Sequence, residues 1–128
     1  MRKLLTISAL CLAVSGGTVD RSAQASSSNT STVQDRTMYQ SAQRAVCHYF
    51  KNNCAIAMQI VNCETGGTYT PWSANGQYLG IFQMGSHERA TYGYGNNVWA
   101  QAKAAYAYYS AVGGFGPWLN YEPPGCGS

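Results

Sequence analysis

An apolar helical stretch that ends at an acid and two glycines restricts the fold of this chain more than any other feature. The apolar residues of the stretch recur at helical spacing and form one stripe, consisting of Ile56, Ala57, Ile60 and Val61. Gly66-Gly67 end the predicted helix, so Glu64 lies in its last turn. The negative end of the helix dipole and an apolar seam both disfavour a carboxylate, so we expect a raised pKa for Glu64.

The segment behind Glu64 is polar, aromatic and rich in glycine. Residues 65–87 contain no aspartate, glutamate, lysine or arginine. Thr68–Trp72 is β-branched and aromatic and is followed by the turn-forming Ser73–Gly76, a pattern that predicts a small hairpin or irregular tongue. A segment of this composition suits a neutral polymer bound by stacking and hydrogen bonds. We interpret Glu64 as a catalytic acid at the back of a sugar-binding cleft.

The first 25 residues have the pattern of a secretory signal peptide. Two basic residues precede an apolar run from Leu4 to Val14, and Ala23-Gln24-Ala25 fits a cleavage site. The run is short for a bilayer span, although an uncleaved anchor is the alternative. Cys11 lies inside the apolar run behind the large Leu10, which argues against a lipid anchor. We expect a secreted protein, with no membrane attachment after cleavage.

The remaining residues, 26–128, are sufficient for one small domain. They carry five basic and four acidic side chains, a net charge of +1. The basic character of the whole chain therefore comes largely from the signal peptide. Nothing in this balance indicates a nucleic-acid partner.

Four cysteines follow the signal peptide: Cys47, Cys54, Cys63 and Cys126. An even number in a small exported chain predicts two disulfides, for which three pairings exist. We favour Cys47–Cys54, which joins two helices, together with Cys63–Cys126, which ties the C-terminus back beside Glu64. A four-cysteine zinc site is the alternative, but the spacings contain no C-x-x-C pair. We expect no metal and no cofactor.

The rest of the pattern predicts a mainly helical α+β domain over residues 37–128. Residues 26–36 are Ser/Thr-rich and predict a disordered linker, and Thr37-x-x-Gln40 predicts a capping box for the first helix. The apolar face of that helix consists of Met38, Ala42, Ala45, Val46, Tyr49 and Phe50. Further along, Ser86 is a candidate cap for a short helix, and Asn97 for a longer one that ends at Gly113-Gly114.

Three motifs resemble known peptidoglycan-cleaving domains. Cys63–Gly67 resembles the C-E-S-G-G opening of the resuscitation-promoting factor domain, with Thr65 in place of the serine. Gly80-Ile81-Phe82-Gln83 is similar to the G-L-M-Q signature of the soluble lytic transglycosylases. Gly114–Trp118 is similar to the G-W-G-x-W ending of the resuscitation factors. The resemblance covers roughly residues 56–126.

The resemblance implies a lysozyme-like fold and cleavage of the β-1,4 bond between N-acetylmuramic acid and N-acetylglucosamine. It implies that Glu64 is catalytic and that Cys63 bonds a C-terminal cysteine. Conventional glycosidases need a second carboxylate, and residues 65–87 contain none, which favours a lytic transglycosylase with a single glutamate. Glu88 is a possible second acid, but its place at a helix start favours capping. A hydrolytic muramidase, a non-catalytic wall-binding or signalling module, and a disulfide-stapled toxin are the alternatives.

Several polar and aromatic side chains are candidates for contact with the glycan strand. Gln83 could hydrogen-bond an N-acetyl group or bridge the tongue. Tyr78 and Trp118 could stack on sugars, whereas Tyr106 at helical spacing suits either stacking or the core. Ser73 and Ser86 could contact the ligand, or could serve in a turn and a cap. The expected partner is peptidoglycan, bound by a monomer.

Overall fold

The computed structural model describes residues 30–120 and is mainly helical, with one small antiparallel sheet. In chain order its elements are α1 (residues 30–50), α2 (Cys54–Glu64), β1 (Ala74–Asn75), β2 (Tyr78–Leu79), α3 (Ser86–Tyr92), α4 (Val98–Val112) and α5 (Gly116–Leu119). This confirms the predicted mainly helical α+β class. No helix within the described range is both long and apolar enough to cross a membrane.

The first helix begins earlier than the sequence pattern indicates. Residues 30–36 are helical, although they fall within the range predicted as a disordered linker, and so the helix continues through the capping box predicted at Thr37. Residues 30–34 belong to one unit, and Asp35 begins the compact unit that holds the features below. The predicted apolar face is confirmed by four fully or nearly fully buried side chains, those of Ala42, Ala45, Val46 and Phe50.

A disulfide joins α1 to α2. Between the two helices lies a single 3-10 turn, Lys51–Asn53, and Cys47 and Cys54 bond across it with their Cα atoms 4.7 Å apart. The first predicted pairing is therefore confirmed. Cys63 is also disulfide-bonded, and its predicted partner Cys126 lies outside the described residues.

Peptide mapping without reduction should recover Cys47–Cys54 and Cys63–Cys126 as linked pairs. The short connection between α1 and α2 holds the first pair together, and an even set of cysteines in an exported chain leaves the second. The measurement is mass spectrometry of a proteolytic digest made without reductant. A Cys47–Cys126 link, or free thiols in the folded protein, would contradict the pairing.

Helix α2 buries a stripe slightly different from the predicted one. Ala57, Met58, Ile60 and Val61 are buried, whereas Ile56 is 43% exposed. Successive side chains turn by about 100° around a helix. The buried arc is centred between Ala57 and Val61, so it takes in Met58 and leaves Ile56 at its margin.

The tongue between α2 and α3 is fixed to the core by its second half. Gly76 and Gln77 connect β1 to β2, with Ala74 opposite Leu79 and Asn75 opposite Tyr78. Directly after β2, Ile81 and Phe82 are almost completely buried. The Phe82 ring lies 5.5 Å from the ring of Phe50. The backbone carbonyl of Phe82 accepts a hydrogen bond of 2.9 Å from Trp118 Nε1.

Helix α4 carries the amide that anchors the tongue. The Gln101 side chain, only 3% exposed, accepts a hydrogen bond from the Ile81 N–H and donates two, to the carbonyls of Pro71 and Gly95. Gly80 packs against the same amide, since a Cβ there would lie 2.6 Å from Gln101 Oε1. One side chain therefore holds three loop segments together.

The ends of α4 are as predicted, but the start of α3 is not. Asn97 caps α4 by accepting a hydrogen bond of 2.9 Å from the Ala100 N–H, and Gly113 ends it with φ +83°. The N-cap of α3 is Gly85, and Ser86 is the first helical residue. The Ser86 hydroxyl instead donates to Gln77 Oε1 at 3.0 Å, which ties α3 to the hairpin.

Candidate functional site

The tongue, the end of α2 and the starts of α3 and α5 surround one cleft. Its volume is about 710 Å³, within the range typical of ligand-binding clefts. The lining residues are Glu64, Asn75, Tyr78, Gln83, Met84, Gly85, Glu88, Tyr108, Gly116, Pro117, Trp118 and Asn120. The structure therefore brings together Glu64, Tyr78, Gln83 and Trp118, four residues that the sequence singles out as candidates.

Glu64 is held at the cleft by the way α2 ends. It is the last residue of the helix and is half-buried. The buried hydroxyl of Thr65 donates to the Val61 carbonyl at 2.7 Å and accepts from the Tyr69 N–H at 3.0 Å. Gly66, with φ +61°, then reverses the chain. These contacts fix the backbone on both sides of the acid, and the negative end of the helix dipole disfavours a negative charge there.

Gln83 presents one particular atom for ligand binding. Its Nε2 donates hydrogen bonds of 3.0 Å to the Ser73 carbonyl and 2.9 Å to the Gly80 carbonyl. An amide nitrogen has two hydrogens, so both are used within the tongue. The bridging role considered for Gln83 is therefore present in the structure. Its Oε1 has no hydrogen-bond donor among residues 30–120, so Gln83 can serve a ligand as an acceptor.

Three aromatic side chains line the cleft in different ways. Tyr78, on β2, is 46% exposed and can stack on a sugar face. Trp118 is 5% exposed and its Nε1 is already bonded to Phe82, so it contributes an apolar wall. Tyr108 stacks on Tyr92 at 4.9 Å between ring centroids and meets the Trp118 ring edge-on at 5.2 Å. The cleft therefore has an exposed platform and a rigid aromatic wall.

The cleft contains a second glutamate. Glu88, in the first turn of α3, is half-buried and lines the cleft with Glu64. The acid-free residues 65–87 favoured a cleft with one carboxylate, and Glu88, which the sequence kept as a possible second acid, lies in the cleft as well. The reason is the short connection Met84-Gly85, which brings the first turn of α3 directly to the cleft wall.

Three predicted contact residues lie outside the lining of the cleft. The Ser73 hydroxyl bonds Thr70 Oγ1 at 2.8 Å, within the tongue, and Ser86 bonds Gln77. Tyr106 packs on α1, with its ring 5.3 Å from Phe50. Turn and packing roles account for all three side chains.

Tyr108, on α4, lines the cleft although the sequence pattern did not single it out. Residues two apart on a helix point in nearly opposite directions, so when Tyr106 faces α1, Tyr108 faces the cleft. The sequence also did not indicate Asn75, Met84 and Asn120 as lining residues of the cleft. Among these three, only Asn75 could have been inferred from the sequence, since it lies in the predicted hairpin.

Among residues 30–120 there is no group of three or more histidine, cysteine, aspartate or glutamate side chains arranged to hold a metal ion. The side chains that line the cleft offer two carboxyl groups, the amides of Gln83, Asn75 and Asn120, and aromatic surfaces. The chain matches no protein-family model, no curated protein and no solved structure.

Proposed function

We propose that this protein is a secreted peptidoglycan-cleaving enzyme of lysozyme-like fold that breaks the β-1,4 bond between N-acetylmuramic acid and N-acetylglucosamine. The observation that supports it most is the position of Glu64, at the end of α2 on a cleft lined by aromatic rings and an amide acceptor. The resemblance of Cys63–Gly67 and Gly80–Gln83 to peptidoglycan-cleaving domains supports the same substrate. Paired cysteines and the signal-like N-terminus support export.

In this proposal Glu64 is the general acid. It donates a proton to the bridging oxygen as the bond from that oxygen to the muramic acid carbon breaks. A carboxyl group at a helix C-terminus, partly shielded from water, retains its proton more readily than an exposed one, because both surroundings disfavour the charge. The half-buried position of Glu64 suits that role.

The other cleft residues bind and orient the glycan. Gln83 Oε1 accepts a hydrogen bond from the N–H of an N-acetyl group, since its amide hydrogens are occupied. Tyr78 stacks on one sugar ring, and Trp118 and Tyr108 form an aromatic wall of the cleft. No charged group is required to bind a neutral glycan backbone.

The test is digestion of purified peptidoglycan followed by mass spectrometry of the released fragments. We expect new muramic acid ends to accumulate with the wild-type protein, and not with heat-denatured protein. Binding to the wall without any new sugar ends would identify a wall-binding module instead. Absence of both binding and cleavage would contradict the proposal entirely.

A further inference from the structure

We propose that Glu88 is a second catalytic carboxylate, which activates water, and that the enzyme is therefore a hydrolase. This inference rests on the proposed function above. It reverses the sequence-based preference for a transglycosylase, because that preference depended on a cleft with one carboxylate. Glu64 and Glu88 both line the cleft, although 24 positions separate them in the chain.

The surroundings of Glu88 leave its carboxylate available to water. No hydrogen bond or ion pair involves it within residues 30–120. The adjacent cation, Arg89, is directed elsewhere, with Nη1 donating to the carbonyls of Gln77 and Met84. No backbone N–H at the start of α3 donates to Glu88, so the capping role considered for it is confined to its negative charge in the first turn of the helix.

Gly85 makes room for this carboxylate. A Cβ at position 85 would lie 2.5 Å from Glu88 Oε2, closer than real contacts allow. The glycine is not required by its backbone, because φ −69° and ψ 170° suit any residue. The missing side chain at Gly85 therefore lets the Glu88 carboxylate lie against the backbone at the cleft surface, where Gly85 is itself a lining residue.

One water molecule and the carboxyl groups of Glu64 and Glu88 account for every bond and proton in the reaction. A water oxygen bonds to carbon 1 of muramic acid while the bond from that carbon to the bridging oxygen breaks. Glu88 accepts a proton from the water, and Glu64 gives its proton to the departing N-acetylglucosamine oxygen. The entering water attacks the face opposite the leaving group, so the first product has the α configuration.

The experiment combines product analysis with two variants. In oxygen-18 water, the wild-type protein should release muramic acid reducing ends that carry the label, with the α anomer appearing first by NMR. Glu88→Gln keeps the size of the side chain but cannot accept the proton, so turnover should fall by about 10²–10⁴-fold at an unchanged thermal midpoint. Asp35→Asn, which removes an exposed carboxylate from α1, is the matched control and should cleave normally.

Two further measurements distinguish a catalytic role of Glu88 from a purely structural one. Azide should restore bond cleavage to Glu88→Ala by attacking carbon 1 directly, which yields a muramyl azide that no structural role would produce. Gly85→Ala should lower turnover while the fold persists, because its methyl group displaces the Glu88 carboxylate.

The outcomes that overturn the inference differ from those that overturn the proposed function. Three results would exclude Glu88 as the base: products that carry 1,6-anhydro ends and no reducing ends, a β anomer as the first product, or wild-type turnover by Glu88→Gln. In each case the protein would still cleave the glycan, so the proposed function would stand. Complete lack of cleavage by the wild-type protein would remove the proposed function itself.

Discussion

Glu64→Gln should lower the rate of glycan cleavage by about 10²–10⁴-fold, the usual contribution of general acid catalysis. Glutamine keeps the shape of the side chain and can still form hydrogen bonds, but it has no proton to transfer. The Michaelis constant should change little, because Tyr78 and Gln83, which line the same cleft, are the residues proposed to contact the sugar. The measurement is the initial rate on solubilised glycan strands, compared with wild type.

The stability of the same variant provides the control. Glu64 ends α2, where the helix carbonyls disfavour a negative charge, so its neutralisation should leave the thermal midpoint the same or slightly higher. A large fall in the midpoint would mean that lost activity reports unfolding. Near-normal cleavage by a folded Glu64→Gln protein would contradict the acid role on which the proposed function depends.

The parts of the fold that sequence predicts well are those set by local chemistry. The buried face of α1 follows from helical periodicity, and the ends of α4 follow from Asn97 and Gly113. The Cys47–Cys54 bond follows from a sequence separation of seven, with a helix break between the two cysteines. The last turn of α2 before Gly66 follows in the same way, which is why Glu64 was identified.

The composition of the cleft beyond Glu64 depends on packing between distant segments. Which tyrosine of α4 reaches the cleft is decided by the face that α4 turns toward α1. Helical spacing offered Tyr106 for either stacking or the core and did not point to Tyr108. Glu88 enters the cleft because α3 starts immediately after the tongue. Residues 65–87 end one position before Glu88, which the sequence offered only as a possible second acid because a helix start favours capping.

The burial of Gln101 in the core is likewise not predictable from the local sequence. A glutamine in an alanine-rich helix resembles a surface residue, since glutamine is mostly exposed in proteins. Its burial here is explained by the three backbone groups that it satisfies, one each from Ile81, Pro71 and Gly95. Loops with few regular hydrogen bonds need such a partner, because buried backbone groups left unpaired are costly.

Gln101→Leu should therefore destabilise the protein strongly. Leucine fills a similar volume but leaves the Ile81 N–H and the two carbonyls without their partner, at a cost of about 1–3 kcal/mol for each group that stays buried. For a domain of this size, each kcal/mol lowers the thermal midpoint by about 4–8 °C. Cleavage should also fall at temperatures where the variant is folded, because the same amide positions the tongue that carries Tyr78 and Gln83.

Gln40→Leu makes the same chemical change on the exposed surface of α1 and is the matched control. Its thermal midpoint should lie within about 2–4 °C of wild type, since surface substitutions usually change stability by less than about 0.5 kcal/mol. The measurement is thermal unfolding of both variants by circular dichroism, with glycan cleavage assayed below each midpoint. If Gln101→Leu unfolds at the same temperature as Gln40→Leu, the hydrogen bonds of Gln101 do not hold the tongue. The position of the cleft would then depend on the burial of Ile81 and Phe82 alone.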